Sequence, residues 1–148
     1  LCAPVSGTVK ALSDVPDKTF AEKVLGDGAA IIPEEGKVYA PADGTVANIM
    51  DSKHGIMFVT DSGAEVLIHI GLDTVNLKGK YFKSYVSDGD KVKKGTLLVE
   101  FDLEAIKGEG YNLITPMVVT NISDYIKAVC MEKENTAINA GDKFLTVV

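Results

Sequence analysis

Residues 54–71 read HGIMFVTDSGAEVLIHIG. Two apolar runs, GIMFVT (55–60) and AEVLIHI (64–70), flank the turn-forming triplet DSG (61–63), which is the pattern of an antiparallel hairpin. The only two histidines of the chain, His54 and His69, lie at its open end. A two-residue turn at Ser62-Gly63, or a four-residue loop centred there, pairs Met57 with Ile68 and Val59 with Val66. One face then carries Met57, Val59, Val66, Ile68 and Ile70 and is expected to be core. The opposite face carries His54, Ile56, Phe58, Thr60, Glu65, Leu67 and His69. The two imidazoles become diagonal neighbours on that outer face, about 5–8 Å apart at Cβ. A three-residue loop slips the pairing by one residue and sends them to opposite faces.

Outward from the hairpin the same texture continues. KSYV, TLLVEF, MVVTNI and FLTVV are short, β-rich and bounded by turns. APVSGTVKAL (3–12) and APADGTVANI (40–49) share a Pro-x-x-Gly-Thr-Val pattern, each a turn feeding a strand. VSDGDKV (86–92) and INAGDKF (138–144) form a weaker echo of the same kind. Helical signals are brief: DKTFAEKVL (17–25) after Pro16, and DLEAIKGEG (102–110), where Asp102 is placed to cap. The expected fold is therefore all-β, an antiparallel sandwich or barrel of many short strands with one or two short helical turns. No linker or charge block divides residues 1–148, so a single domain is expected.

Composition limits the function. Apolar residues make up 46%, charged residues 24%, and the formal charge is −6. The chain has no arginine and no basic block, which argues against nucleic acid as a partner. Any phosphate must be held by Lys, His or backbone N–H groups. No apolar run is long enough to span a bilayer and no signal segment opens the chain, so no membrane insertion is expected. Leu1 in place of a start methionine fits a chain cut from something longer. Cys2 and Cys130 lack metal-type spacing and read as reduced structural thiols of a cytosolic protein.

Three chemistries compete for a histidine pair. Zinc wants a third protein ligand, for which Asp73 is the candidate, but no H-x-H or H-x-x-x-H spacing is present. Acyl transfer wants a nucleophile, and Ser52 shares the strand parity of His54, although a hydrogen bond from Ser52 to His54 is the simpler expectation. Phosphoryl transfer uses both rings without a metal: one neutral imidazole attacks phosphorus, and the other donates to the charge on the phosphoryl oxygens. An apolar surround suits that chemistry, because a phosphocarrier must dock other proteins and exclude water.

SGAEVLIHIGLDTVNLKGKYF, with H-x-G-x-D-T after an apolar strand and a histidine some fifteen residues upstream, resembles the active-site segment of the glucose-type enzyme IIA of the bacterial phosphoenolpyruvate:sugar phosphotransferase system. DVPDKTFAEKVLGDGAAI, APADGTV, SKHGIMF, GDKVKKGTLLVEFD, TPMVVTN and GDKFLTVV extend the likeness nearly end to end. The resemblance implies a β-sandwich, a cytoplasmic monomer and no cofactor or metal. It implies that His69 is phosphorylated at Nε2, that His54 stabilises the phosphoryl group, that Ser52 orients His54, and that the Gly71 carbonyl orients His69. It implies HPr as donor and a cysteine of a permease IIB domain as acceptor. Phe20, Val24, Leu25, Met50, Leu67 and Val75 would form the apolar docking ring, with Asp73 at its edge. At least one of Phe20, Val24 and Leu25 is also readable as the core face of a short helix. Met50 and Leu67 stand where relatives are expected to carry aromatics. Enteric members begin with a tail that this sequence does not show before its first strand, so membrane anchoring is not expected. The competing readings are a metal-dependent hydrolase and a pure binding module.

Overall fold

Thr60 and Ala64 close the central hairpin around a loop of three residues, Asp61, Ser62 and Gly63. The Thr60 N–H donates to the Ala64 carbonyl at 2.9 Å, and the Ala64 N–H returns to the Thr60 hydroxyl at 3.0 Å. Gly63 takes the left-handed conformation (φ +97°) that such a loop needs at its last position. The structure is a computed structural model and describes residues 1–148.

Thirteen strands follow in chain order: β1 Gly7–Ala11, β2 Asp27–Pro33, β3 Lys37–Tyr39, β4 Gly44–Ile49, β5 Gly55–Thr60, β6 Glu65–His69, β7 Phe82–Ser84, β8 Lys91–Val92, β9 Leu97–Phe101, β10 Thr115–Val119, β11 Ala128–Cys130, β12 Ala137–Ile138 and β13 Leu145–Val147. Eight form one antiparallel sheet in the order β12-β1-β2-β10-β6-β5-β4-β8. A three-stranded sheet (β3-β9-β7) and a two-stranded one (β11-β13) complete the fold. The all-β expectation holds, and both Pro-x-x-Gly-Thr-Val repeats feed strands, β1 and β4. The helical segments are shorter than their sequence patterns. Helix α1 (Lys18–Ala21) is capped by Asp17 on the Thr19 N–H. Helix α2 (Leu103–Gly108) is capped by Asp102 on the Ala105 N–H.

The three-residue loop sets a register one residue away from the expected one. Gly55 pairs with His69, Met57 with Leu67 and Val59 with Glu65. Ile56 pairs with Ile68 and Phe58 with Val66. Strand β5 is thus turned over relative to expectation: Ile56 and Phe58 face the main core and are fully buried, while Met57 and Val59 face the other way. The faces assigned to β6 were right. The physical reason is the Thr60 hydroxyl, which takes up the Ala64 amide and makes the odd-numbered loop self-sufficient.

The main core gathers 27 buried residues between the large sheet and the remaining strands, with Phe58, Phe144, Ile31 and Met117 among its largest members. The other side of the large sheet is only thinly covered. A cluster of eight, including Leu12, Val15, Phe20, Leu67, Leu72 and Ile114, packs there beneath the α1 segment. That thin layer leaves the sheet accessible beside His69.

Candidate functional site

His69 ends β6 on this second face. Its Nδ1 lies 2.6 Å from the Gly71 carbonyl oxygen. A carbonyl can only accept, so Nδ1 carries the proton and Nε2 of the neutral ring keeps its lone pair. The Phe20 ring packs at 5.2 Å on one side, and the His54 ring stands edge-on at 4.9 Å on another.

His54 reaches this place by a route that strand parity does not describe. In the observed register, strict alternation would turn it toward the main core. It precedes β5 instead of belonging to it. The chain reverses at 50–53, with the Lys53 amide donating to the Met50 carbonyl (2.7 Å) and Lys53 itself left-handed at φ +61°. The His54 carbonyl then accepts from the Ile70 amide at 2.7 Å, which ties the reversal to the residue after His69. The rings meet although the pairing that predicted their meeting does not form.

Two further expectations need correction. The hydrogen bond from Ser52 to His54 is not made: His54 Nδ1 is buried with no partner. The reversal at Lys53 separates the directions of residues 52 and 54, so their shared parity carries no meaning. His54 is also not an outward-facing surface residue, being only 5% exposed. His69 is half-buried.

Both imidazoles line an open depression of about 710 Å³, together with Asp17, Thr19, Phe20, Val24, Leu25, Met50, Met57, Leu67, Asp73, Val75 and Thr120. Every residue expected in the docking ring lines it, in two tiers. Phe20 and Leu67 are buried and form the floor; Val24, Leu25 and Val75 are exposed on the rim, and Met50 is half-buried between. The core reading thus holds for Phe20 and fails for Val24. Sequence reasoning missed Asp17, Thr19, Met57 and Thr120. Met57 was assigned to the core through the register, and the others lie on segments that only tertiary packing brings here.

Electrostatics favour neutral rings. Burial pushes the His54 pKa down to about 4, with the His69 ring adding to the effect. His69 is also lowered by burial, against the opposing pull of its bond to Gly71 and of Asp17 and Asp73. Two neutral imidazoles, one with a free Nε2, form a nucleophile with a hydrogen-bonding neighbour. A metal reading lacks a ligand set, since no group of three His, Cys, Asp or Glu side chains is arranged to hold an ion.

Residues 1–125 match the family model described as phosphoenolpyruvate-dependent sugar phosphotransferase system, EIIA 1. The chain is 46% identical over 146 residues to the PTS system glucose-specific EIIA component of Halalkalibacterium halodurans, covering 99% of this chain and 83% of that protein. It is 53% identical over 123 residues to the PTS system beta-glucoside-specific EIIBCA component of Bacillus subtilis, covering 83% of this chain but 20% of that one. The chain therefore spans about a fifth of the length of such fused relatives. Among solved structures, glucose permease IIA from Mycoplasma capricolum superposes with a TM-score of 0.86 at 33% identity, covering 98% of this chain and 92% of that one.

Proposed function

The chain belongs to the EIIA 1 family of the phosphoenolpyruvate-dependent sugar phosphotransferase system, as a phosphotransferase component of it, and on that premise we propose that it carries a phosphoryl group on His69 from phosphorylated HPr to a cysteine of a permease IIB domain. The observation that carries this reading is the Nδ1 to Gly71 hydrogen bond, which leaves Nε2 as the free nucleophile beside a second neutral imidazole.

In the first transfer, Nε2 of His69 attacks phosphorus. The N–P bond to His69 forms as the bond to the donor nitrogen breaks, and the donor leaves with its electron pair. The Nδ1 proton stays on its bond to Gly71, which shares the positive charge left on the ring. His54 donates to a phosphoryl oxygen, where the loose transition state carries its charge. In the second transfer a thiolate sulfur attacks phosphorus, the S–P bond forms as the N–P bond breaks, His69 Nε2 recovers its lone pair, and His54 again donates to a phosphoryl oxygen. The fusion of EIIA to EIIB and EIIC in relatives supports a IIB partner. The exposed rim of Val24, Leu25 and Val75 supports docking of two partners in turn on one apolar patch.

The test is labelling by phosphorylated HPr with a chelator present. The chain should take up one acid-labile, base-stable phosphoryl group, and His69→Gln should take up none. Loss of all labelling on chelation, or labelling that survives His69→Gln, sinks the reading; the first result would favour a metal-dependent hydrolase.

A further inference from the structure

The motif H-x-G-x-D-T ends in a threonine that no step above uses. We infer that Thr74 is a positioning residue: its hydroxyl holds the peptide unit that precedes Gly71, and thereby aims the Gly71 carbonyl that selects the Nδ1–H tautomer of His69.

Thr74 is fully buried, although Asp73 and Val75 on either side are exposed. Its Oγ1 donates to the Ile70 carbonyl at 2.6 Å. Three consecutive peptide units are pinned in this way. The Ile70 N–H, on the unit after His69, donates to the His54 carbonyl at 2.7 Å. The Ile70 carbonyl, on the next unit, accepts from Thr74. The Leu72 N–H, on the unit that contains the Gly71 carbonyl, donates to the Asn112 carbonyl at 2.9 Å. With all three planes held, the Gly71 carbonyl has one direction, toward His69 Nδ1.

The middle anchor matters because of what it restrains. Gly71 sits at φ +74°, and a side chain there would meet the Thr74 methyl at 2.8 Å and the Asn112 carbonyl at 3.0 Å. Only glycine fits, and glycine is the residue whose flanking peptides rotate most freely. The Thr74 hydroxyl supplies the restraint that glycine lacks. Because the Ile70 amide is bonded to His54, the same loop also ties the two imidazole-bearing segments together.

The experiment compares Thr74→Val, which keeps the shape and removes the donor, with Thr74→Ser, which keeps the donor and removes the methyl. The readout is the ring nitrogen chemical shifts of His69 by ¹⁵N NMR, at a pH where both imidazoles are neutral. Wild type and Thr74→Ser should show one tautomer, Nδ1–H. Thr74→Val should show a tautomer mixture. Its phosphoryl uptake from phosphorylated HPr should slow by about tenfold or more, as expected for a misaimed nucleophile, with Thr74→Ser close to wild type. A folded Thr74→Val with pure Nδ1–H and wild-type uptake overturns the inference. If Thr74→Val does not fold, Thr74→Ser decides: a mixed tautomer or slowed uptake there assigns the role to the methyl and overturns it as well. The uptake arm rests on the phosphocarrier reading, whereas the tautomer arm does not. Failure of wild type to accept phosphate would sink that reading and leave the tautomer result standing.

Discussion

His54 and His69 are the same residue type 4.9 Å apart, and their surroundings give them different work. His69 has one nitrogen committed to Gly71 and the other free. His54 is almost wholly buried, with a partnerless Nδ1 and a pKa near 4. NMR titration should therefore find both rings titrating below the ordinary value of about 6.5, His54 the lower of the two. Unfolded chains bind these protons near pH 6.5, whereas folded His54 resists until about 4. Stability is thus complete above pH 6.5 and declines as pH falls toward 4, and the denaturant midpoint should drop across that window; His54→Gln should flatten the decline. A phosphoryl group on His69 adds negative charge beside His54, so phosphorylation should raise the His54 pKa. His54→Gln should still accept phosphate, but more slowly, and should pass it on about a hundredfold more slowly in single-turnover transfer to a IIB domain. Transfer at the wild-type rate would remove His54 from the chemistry.

The β5–β6 hairpin shows what a linear pattern can and cannot tell. Both strands, their pairing with each other and the capping role of Asp102 were legible, because alternation, turn residues and N-caps are local signals; the Asp17 cap on the Thr19 N–H emerged only with the fold. The register was not legible. GIMFVT is apolar on both faces, so its pattern does not choose between them, and the choice fell to the Thr60 hydroxyl at the loop. Ile56 and Phe58 are fully buried as a result, and Met57 lines the depression. Phe58→Ala should cost about 3–5 kcal/mol in denaturant unfolding, as for a large core truncation, while Met57→Ala should cost clearly less. The reverse order would restore the register first expected. The two-tier lining of the depression was legible only in part. Sequence assigned Phe20 and Val24 to one ring, but α1 ends at Ala21, which leaves Phe20 under the segment and Val24 70% exposed.

Across the whole molecule, asymmetry of cover makes the site. One side of the eight-stranded sheet is sealed by the large core, and the other carries only a thin cluster, so a strand-end histidine can be both rigid and reachable. The rim residues Val24 and Val75 are 70% and 50% exposed. Replacing them with lysine should leave thermal unfolding within about 0.5 kcal/mol, as for surface sites. The same changes should cut kcat/KM for phosphoryl uptake from HPr by about tenfold, chiefly through KM, if the patch is the docking surface. The phosphocarrier reading turns on which nitrogen of which histidine is left free by the Gly71 carbonyl. Nitrogen–phosphorus coupling in the ¹⁵N and ³¹P spectra of the phosphorylated chain reads that atom directly. The phosphoryl group should sit on Nε2 of His69, with Nδ1 still protonated; coupling to Nδ1 of His69, or to either nitrogen of His54, would contradict it.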